Sequence, residues 1–511
     1  MIDDGNMEIK TKLVYSAMKS RVKTIDKQQG REMDIQIKQL KRILATVERT
    51  EYGEEYKLKA NQTYQHYCRR APIVDYEDLR PRIEQMIHGR HNVLLPGRCD
   101  WYAQSSGTTS TRSKFIPVPK IHLKECHFRG ASDALWLYLR NRPDSRFFST
   151  KGLVLGGAYR AVANGATAKT GDLSSILVEK MPLLGDLLRV PPKKILLMDE
   201  WEEKLKCIVR STAKVNVGSL SGVPSWMLVM IKALLEQEKA ANLSEVWPNL
   251  EVFFHGGVSF EPYRSLYREL IPSNRMQYVE TYNASEGFFA IQDEPSEQSM
   301  RIMPDYGVFY EFIPFGESLN SYPRLLTLEE VQIGVPYSMV ISTLGGLYRY
   351  KIGDVVTFKS RSPYRIKITG RTKHYINAFG EELMVDNADK AIAIVSAKLD
   401  MQVVEYTAAP QLLEQEGKGR HNWLIEFATP PNNEQAATFA KELDAELRNI
   451  NSDYDAKRYK DMTLLPLSLT VAPRGTFHEW LAKQGKLGGQ HKVPRLSNER
   501  KYLDSLLAML T

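Results

Sequence analysis

Between about residues 150 and 370 the chain alternates short apolar runs of β type with helical segments and glycine-rich junctions, a pattern that predicts an α/β domain with site loops at strand ends. Leu250-Glu251-Val252-Phe253-Phe254 runs into His255-Gly256-Gly257, and Arg275 to Thr281 runs into Tyr282-Asn283-Ala284-Ser285-Glu286-Gly287. Both read as a strand ending in a loop. Ser338 to Thr343 and Tyr348 to Asp354 flank Leu344-Gly345-Gly346-Leu347, which predicts a β-hairpin. Arg365 to Thr369 reads as a last strand and Gly370-Arg371-Thr372-Lys373 as a polar turn. The expected organisation is a large N-terminal α/β domain over residues 1–369 and a smaller α+β domain over 370–511, joined near 370–373.

A length of 511 residues with 43% hydrophobic side chains suits two or three cores and excludes global disorder. Met33, Ile37, Leu40, Ile43, Leu44 and Val47 recur at helical spacing. Acidic residues interrupt the basic side of this helix and no aromatic anchor lies on its apolar side, so it reads as docked on a core rather than on a membrane surface. No apolar stretch approaches the ~18 residues a spanning helix needs, and Met1 to Asn6 lack the apolar block of a secretory signal. The expected location is cytoplasmic, without a membrane partner. Cys68, Cys99, Cys126 and Cys207 form no C-x-x-C pair, which argues against a zinc site and a disulfide framework. The net charge is +8, of which residues 1–70 carry +5 from 15 basic and 10 acidic side chains. With no polybasic block, no interleaving of aromatic and basic residues and no zinc-finger spacing, that excess does not point to nucleic acid.

One further tract bears on chemistry. Ser105-Ser106-Gly107-Thr108-Thr109-Ser110-Thr111-Arg112-Ser113-Lys114 is rich in hydroxyls, poor in bulk, and ends in a cation. Small residues let backbone N–H groups approach an anion, hydroxyls add donors and the lysine adds charge, as a polyphosphate clamp requires. A solvated Ser/Thr/Gly loop has the same composition. The spacing G-x-x-x-x-G-K-[ST] is absent, so any nucleotide chemistry sits on a scaffold other than that of the P-loop ATPases.

Four loops share an order: Ser105 to Lys114, Tyr282 to Gly287, Tyr348 to Asp354 and Gly370 to Lys373. Together they resemble the adenylate-forming enzymes that activate carboxylic acids with ATP. More closely, SSGTT with its following lysine, YNASEG, YRYKIGD, GVPSWMLVM at Gly222 to Met230 and QHKVPR at Gln490 to Arg495 resemble the GH3 family of acyl acid-amido synthetases, over residues 30 to 500 or so. The family contains plant enzymes that conjugate jasmonate, auxin or benzoates to amino acids, and related bacterial proteins. The resemblance implies a large α/β domain of the adenylate-forming type with a smaller, mobile C-terminal domain.

It also implies site roles. Ser105, Ser106, Thr108 and Thr109 with Lys114 would grip the β- and γ-phosphates, although Lys114 alone reads equally as a solvent-facing charge. Glu286 would hold Mg²⁺, which favours carboxylate and phosphate oxygens. Tyr282 would offer a face to adenine, and Ser285 a hydroxyl to phosphate or base. Asp354, with paired acceptors, would take the two ribose hydroxyls, where the plain reading is a turn aspartate beside a cross-strand lysine. His255, Gly256 and Gly257 would line the adenine edge, and Arg371 would face the ribose. Lys373 sits where these enzymes pivot the small domain, with Gly370 supplying backbone freedom. Lys492 would swing onto the α-phosphate as a transition-state charge, with Lys486 as its competitor. Gly152 to Gly157 and Val217 to Met230 would border an acyl pocket whose Trp226, Met227 and Val229 suit a hydrophobic or aromatic acid; a core helix would use the same residues. Two departures stand out. Thr111 occupies a position where the family commonly has a second glycine, and Met1 to Asn6 are unlike a family start, which leaves Met7 as an alternative initiator.

The reaction so implied has two steps. The acid's carboxylate attacks the α-phosphorus of ATP to give acyl-AMP and pyrophosphate; an amine, expected to be an amino acid, then attacks the acyl carbonyl. Formation of a coenzyme A thioester from the same adenylate and a non-catalytic ATP-binding protein are the alternatives.

Overall fold

The computed structural model describes residues 9–105, 114–157, 159–160, 168–198, 201–257, 260, 263–318, 320, 322–371, 375–376, 378, 381, 383–413, 418–451, 454–455, 458, 464–484 and 493–510. Among them, eleven strands form one mixed sheet. Its first half, Arg189–Val190, Lys151–Val154, Val217–Gly222, Val252–Gly256 and Gln277–Ala284 in spatial order, is parallel throughout. Helices such as Trp201–Thr212, Pro224–Glu238 and Arg264–Leu270 lie between these strands in sequence, because a parallel strand can be reached only by a crossover.

The second half departs from the α/β pattern expected as far as residue 370. From Gly287 onward every pairing in the sheet is antiparallel. No helix longer than a three-residue turn separates the described strands from Gly287 to Arg371, so the chain returns without helical crossovers. The expected hairpin is the pair Pro336–Thr343 and Tyr350–Arg361. The last strand runs further than expected, Tyr364–Arg371: Gly370 pairs with Val355 and Arg371 with Asp354, so both are ladder residues and not part of a turn.

A four-stranded sheet beside it pairs Trp101–Ser105 with Lys114–Pro117, which makes the hydroxyl-rich tract the connection of a hairpin whose base is Ser105 opposite Lys114. The amphipathic helix is Glu32–Val47; it buries Leu40, Ile43, Leu44 and Val47 in the same core as Phe309, Phe312 and Ile341 of the antiparallel strands. Gln36 sits on that face and is satisfied by the Pro304 and Val308 carbonyls and the Tyr310 N–H. A second core fills the parallel half around Phe253, Met227 and Trp247. A third is built from residues of the C-terminal part alone, where Val403–Leu413, Lys418–Phe427 and Ser468–Ala472 form a three-stranded sheet covered by the helices Val385–Leu399 and Asn433–Ile450. Lys367 to Asp386 at 3.3 Å and Arg495 to Tyr263 at 3.4 Å are contacts between this part and the rest. All four cysteines are free thiols, and no helix among the described residues is long and apolar enough to cross a membrane.

Candidate active site

The strand Gln277–Ala284 is where the large sheet changes character, parallel to Val252–Gly256 on one side and antiparallel to Gly287–Ile291 on the other. Ala284 pairs with Gly287, so Ser285 and Glu286 are the two residues of a tight turn at the strand's carboxyl end. The carboxyl ends of the neighbouring parallel strands, at Gly222 and Gly256, lie on the same edge. In sheets of this kind that edge is where ligands bind.

Glu286 is 7% exposed. A carboxylate so placed needs hydrogen bonds or a cation. The hydroxyl of Tyr350 faces its Oε1 at 3.5 Å. Burial first, and then the charge of Glu286, pushes Tyr350 well above the usual phenol range, so the phenol keeps its proton and acts as donor.

Asp354 comes from the other side of the sheet. Lys351 pairs with Val340 and Val355 with Ser338, which leaves Ile352, Gly353 and Asp354 as a bulge opposite Met339. Gly353 supplies the φ of +90° this bulge needs. The bulge re-aims Asp354, whose Oδ2 accepts a 2.7 Å hydrogen bond from the Tyr282 hydroxyl. Three strands separate those of Tyr282 and Asp354 in the sheet order, so the sheet curves to bring the two together. Tyr282 is itself buried, with Phe289 edge-on at 4.9 Å. What it turns toward Asp354 is its hydroxyl, whereas the sequence suggested an open face for a base.

Lys114 stands at the base of the hydroxyl-rich hairpin with its Nζ over the Tyr76 ring, 5.7 Å from the centroid. Tyr76 accepts the Phe115 N–H at 2.8 Å. The segment carrying Tyr76 is fixed in turn to the Asp354 strand: Val74 bridges Tyr350, taking the Lys351 N–H and donating to the Arg349 carbonyl. Arg349 makes a buried ion pair with Glu311 at 3.0 Å and caps the Cys68 and Ala71 carbonyls. Lys114, Tyr76, Tyr350 and Glu286 therefore form one run of neighbours.

The His255 ring behaves differently from its expectation. It is buried and stacked on Phe260 at 4.2 Å, beside Phe253, and burial pushes its pKa down to about 3. The imidazole belongs to the aromatic core, and only backbone at 255–257 faces the strand edge. A side chain at Gly256 would strike the Thr281 carbonyl oxygen, and Gly257 has φ +81°. Arg371 pairs with Asp354 through its backbone, while its side chain and that of Ser105 lie outside the described residues. So do Ser106, Thr108, Thr109, Thr111, Lys373, Lys486 and Lys492. Of the acyl-pocket candidates, Trp226 and Met227 are buried and Met227 is part of the second core, whereas Val229 is half-buried.

The described residues hold no group of three or more His, Cys, Asp or Glu able to cage a metal by themselves. One buried carboxylate, as at Glu286, does suit Mg²⁺, which keeps several waters and takes one or two carboxylates plus substrate phosphates.

Comparison with known proteins gives the context for this geometry. Residues 21–276 match the GH3 family N-terminal domain, 301–371 its central domain and 386–501 its C-terminal domain. The chain belongs to the GH3 family. An indole-3-acetic acid-amido synthetase, GH3.3 of Arabidopsis thaliana, is 24% identical over 90% of this chain and 89% of its own. The solved structure of GH3.15 acyl acid amido synthetase superposes with a TM-score of 0.79 at 20% identity, covering 99% of this chain and 97% of that one. A 2-hydroxyisobutyryl-CoA ligase in the postadenylation state shares the fold at a TM-score of 0.59 and 14% identity over 93% of this chain and 91% of its own. This GH3 protein is accordingly an acyl acid-amido synthetase, a ligase that makes a carbon–nitrogen bond by way of an acyl adenylate. Its substrates are small molecules, an acid and an amine.

Several residues around the Ser285–Glu286 turn and Lys114 escaped the sequence. Tyr350 lies inside the YRYKIGD tract but carries no signal separating it from Tyr348. Tyr76, His122 and Cys126 come from elements with no motif, and only the fold sets Tyr76 beside Lys114 and the other two against the turn.

Proposed function

We propose that this GH3 protein adenylates a hydrophobic or aromatic carboxylic acid with Mg²⁺-ATP and transfers the acyl group to the amine of an amino acid, in the cytoplasm where ATP and free amino acids meet. The observation that carries the reading is the convergence of Glu286 and Asp354, from a turn and a bulge in separate antiparallel pairs of a curved sheet, each buried and each held by a tyrosine hydroxyl. Asp354, oriented by Tyr282, accepts hydrogen bonds from the vicinal ribose hydroxyls. Backbone at Gly256 and Gly257 lets the adenine edge lie close. Lys114 and the hydroxyls of Ser105, Ser106, Thr108 and Thr109 hold the leaving pyrophosphate, and Arg371 faces the ribose. Mg²⁺ at Glu286 would neutralise phosphate charge. Lys492 supplies positive charge at the α-phosphorus as the acid's oxygen attacks it and the bond to pyrophosphate breaks. In the second step the amine nitrogen attacks the acyl carbonyl, AMP leaves and the nitrogen loses a proton. The part that follows Arg371 moves as a unit between the steps, pivoting after the strand that ends there.

Kinship with a relative that acts on indole-3-acetic acid supports an aromatic acid, and the apolar Trp226 and Val229, on the helix that follows Gly222, fit it. Incubation of the purified protein with ATP, a panel of acids and either amino acids or coenzyme A, with products read by mass spectrometry, tests the proposal. Acyl–amino acid amides are expected; thioesters alone would replace the amide reading with the coenzyme A one, and no acid-dependent product would leave only nucleotide binding.

A further inference from the structure

The turn that presents Glu286 is gripped from behind. Lys120–His122 passes into a π-helical turn, Leu123–Phe128, before the helix Arg129–Asn141 resumes. Wide turns of this kind are rare and are found frequently at functional sites. From this segment the His122 Nε2–H donates to the Glu286 carbonyl oxygen at 3.0 Å, and since a carbonyl only accepts, the proton is on Nε2. One helical turn later, Cys126 Sγ accepts the Phe288 N–H at 3.1 Å and donates to the Phe288 carbonyl oxygen at 3.7 Å. The backbone is thus held on both sides of Gly287. Both side chains are completely enclosed: His122 is 1% exposed and Cys126 0%. The fit leaves no slack, because a Cβ on Gly345 would come within 3.0 Å of the His122 ring, and the His127 ring closes the remaining side edge-on at 5.1 Å.

We propose that His122 and Cys126 are positioning residues that fix the Ser285–Glu286 turn in the orientation needed to bind the metal-nucleotide. The proposal rests on Glu286 as the Mg²⁺ ligand. Mg²⁺ demands near-ideal geometry, so freedom in the backbone that carries its carboxylate loosens binding before it abolishes chemistry. Loss of one such hydrogen bond is expected to weaken binding about fivefold to tenfold.

The test is calorimetric binding of α,β-methylene-ATP to the full chain across a Mg²⁺ titration, with melting temperature measured in parallel, for wild type, His122→Leu, His122→Gln, Cys126→Ala, Cys126→Ser and Glu286→Gln. His122→Leu should raise the Mg²⁺ concentration for half-saturation about fivefold or more. His122→Gln, which keeps a donor near the Nε2 position, should return it to within about twofold of wild type, and Cys126→Ser should recover most of what Cys126→Ala loses. A folded His122→Leu protein with wild-type Mg²⁺ dependence, while Glu286→Gln shifts it, overturns the proposal. Equal shifts in His122→Leu and His122→Gln overturn it too. If His122→Leu does not fold, the Cys126 pair decides: an unshifted Cys126→Ala counts against the clamp, and a shifted Cys126→Ala rescued by Cys126→Ser supports it. A Glu286→Gln protein indistinguishable from wild type instead removes the metal assignment on which the clamp depends.

Discussion

The two halves of the eleven-stranded sheet contribute different chemistry to the same edge. The parallel half ends in glycines and backbone, and its candidate imidazole, His255, is locked neutral among Phe253, Phe260 and Tyr267. Parallel strands are covered on both faces, so their side chains are claimed by the core. The antiparallel half supplies the carboxylates, Glu286 from a tight turn and Asp354 from a bulge, each with a phenol to hold it. Turns and bulges free a side chain from the two-residue alternation of a strand, which explains why the charged groups come from this half.

The contrast is sharpest at Glu286. Replacement by Gln is expected to lower acid-dependent pyrophosphate exchange by about 10²–10³, the scale for loss of a group that stabilises developing charge. Asp354→Asn should follow with about a tenfold to hundredfold rise in KM for ATP and little change in kcat, since a charged acceptor to the ribose is worth about 1.5–3 kcal/mol. An unaltered KM would remove Asp354 from the ribose.

His255 should reveal its core role through pH. Its folded pKa, depressed to about 3 from the usual 6.5, means the unfolded chain takes up a proton that the native chain refuses. Stability should therefore fall as pH drops from about 6.5 toward 3, by about 2 kcal/mol at pH 5 from this residue alone. Urea unfolding of His255→Leu should show a flatter decline between pH 7 and 5 than wild type, even if its stability at pH 7 is lower. A slope unchanged by the substitution would mean that the ring is accessible to protons and not part of the core. The smallest effect is expected of Tyr282→Phe, about a fivefold rise in KM for ATP, because Asp354 loses one orienting hydrogen bond but keeps its charge.

Tracts that are both chemical and local were legible. YNASEG marked a turn after a strand, YRYKIGD a hairpin strand and the 33–47 stripe a docked helix, because each is written in consecutive residues or at a fixed period. Beyond that hairpin the antiparallel half was not legible, since an apolar run such as Val308–Pro314 looks alike in either sheet type. Nor was the use of the Tyr282 hydroxyl in place of its ring, which depends on sheet curvature, or the burial of His255, which depends on Phe260 stacking on it. Gly370 looked like a turn residue because glycine is one in most contexts; here the ladder runs through it, with Thr369 as the bulged residue.

The role proposed for Glu286 is in acid activation. Exchange of labelled pyrophosphate into ATP, measured for wild type and Glu286→Gln across a library of aromatic and aliphatic carboxylic acids without any amine, addresses that claim most directly. Exchange is expected to require an acid, to favour aromatic or hydrophobic ones, and to fall at least a hundredfold in the variant. Exchange that ignores the acid, or that survives the loss of Glu286, would contradict that role.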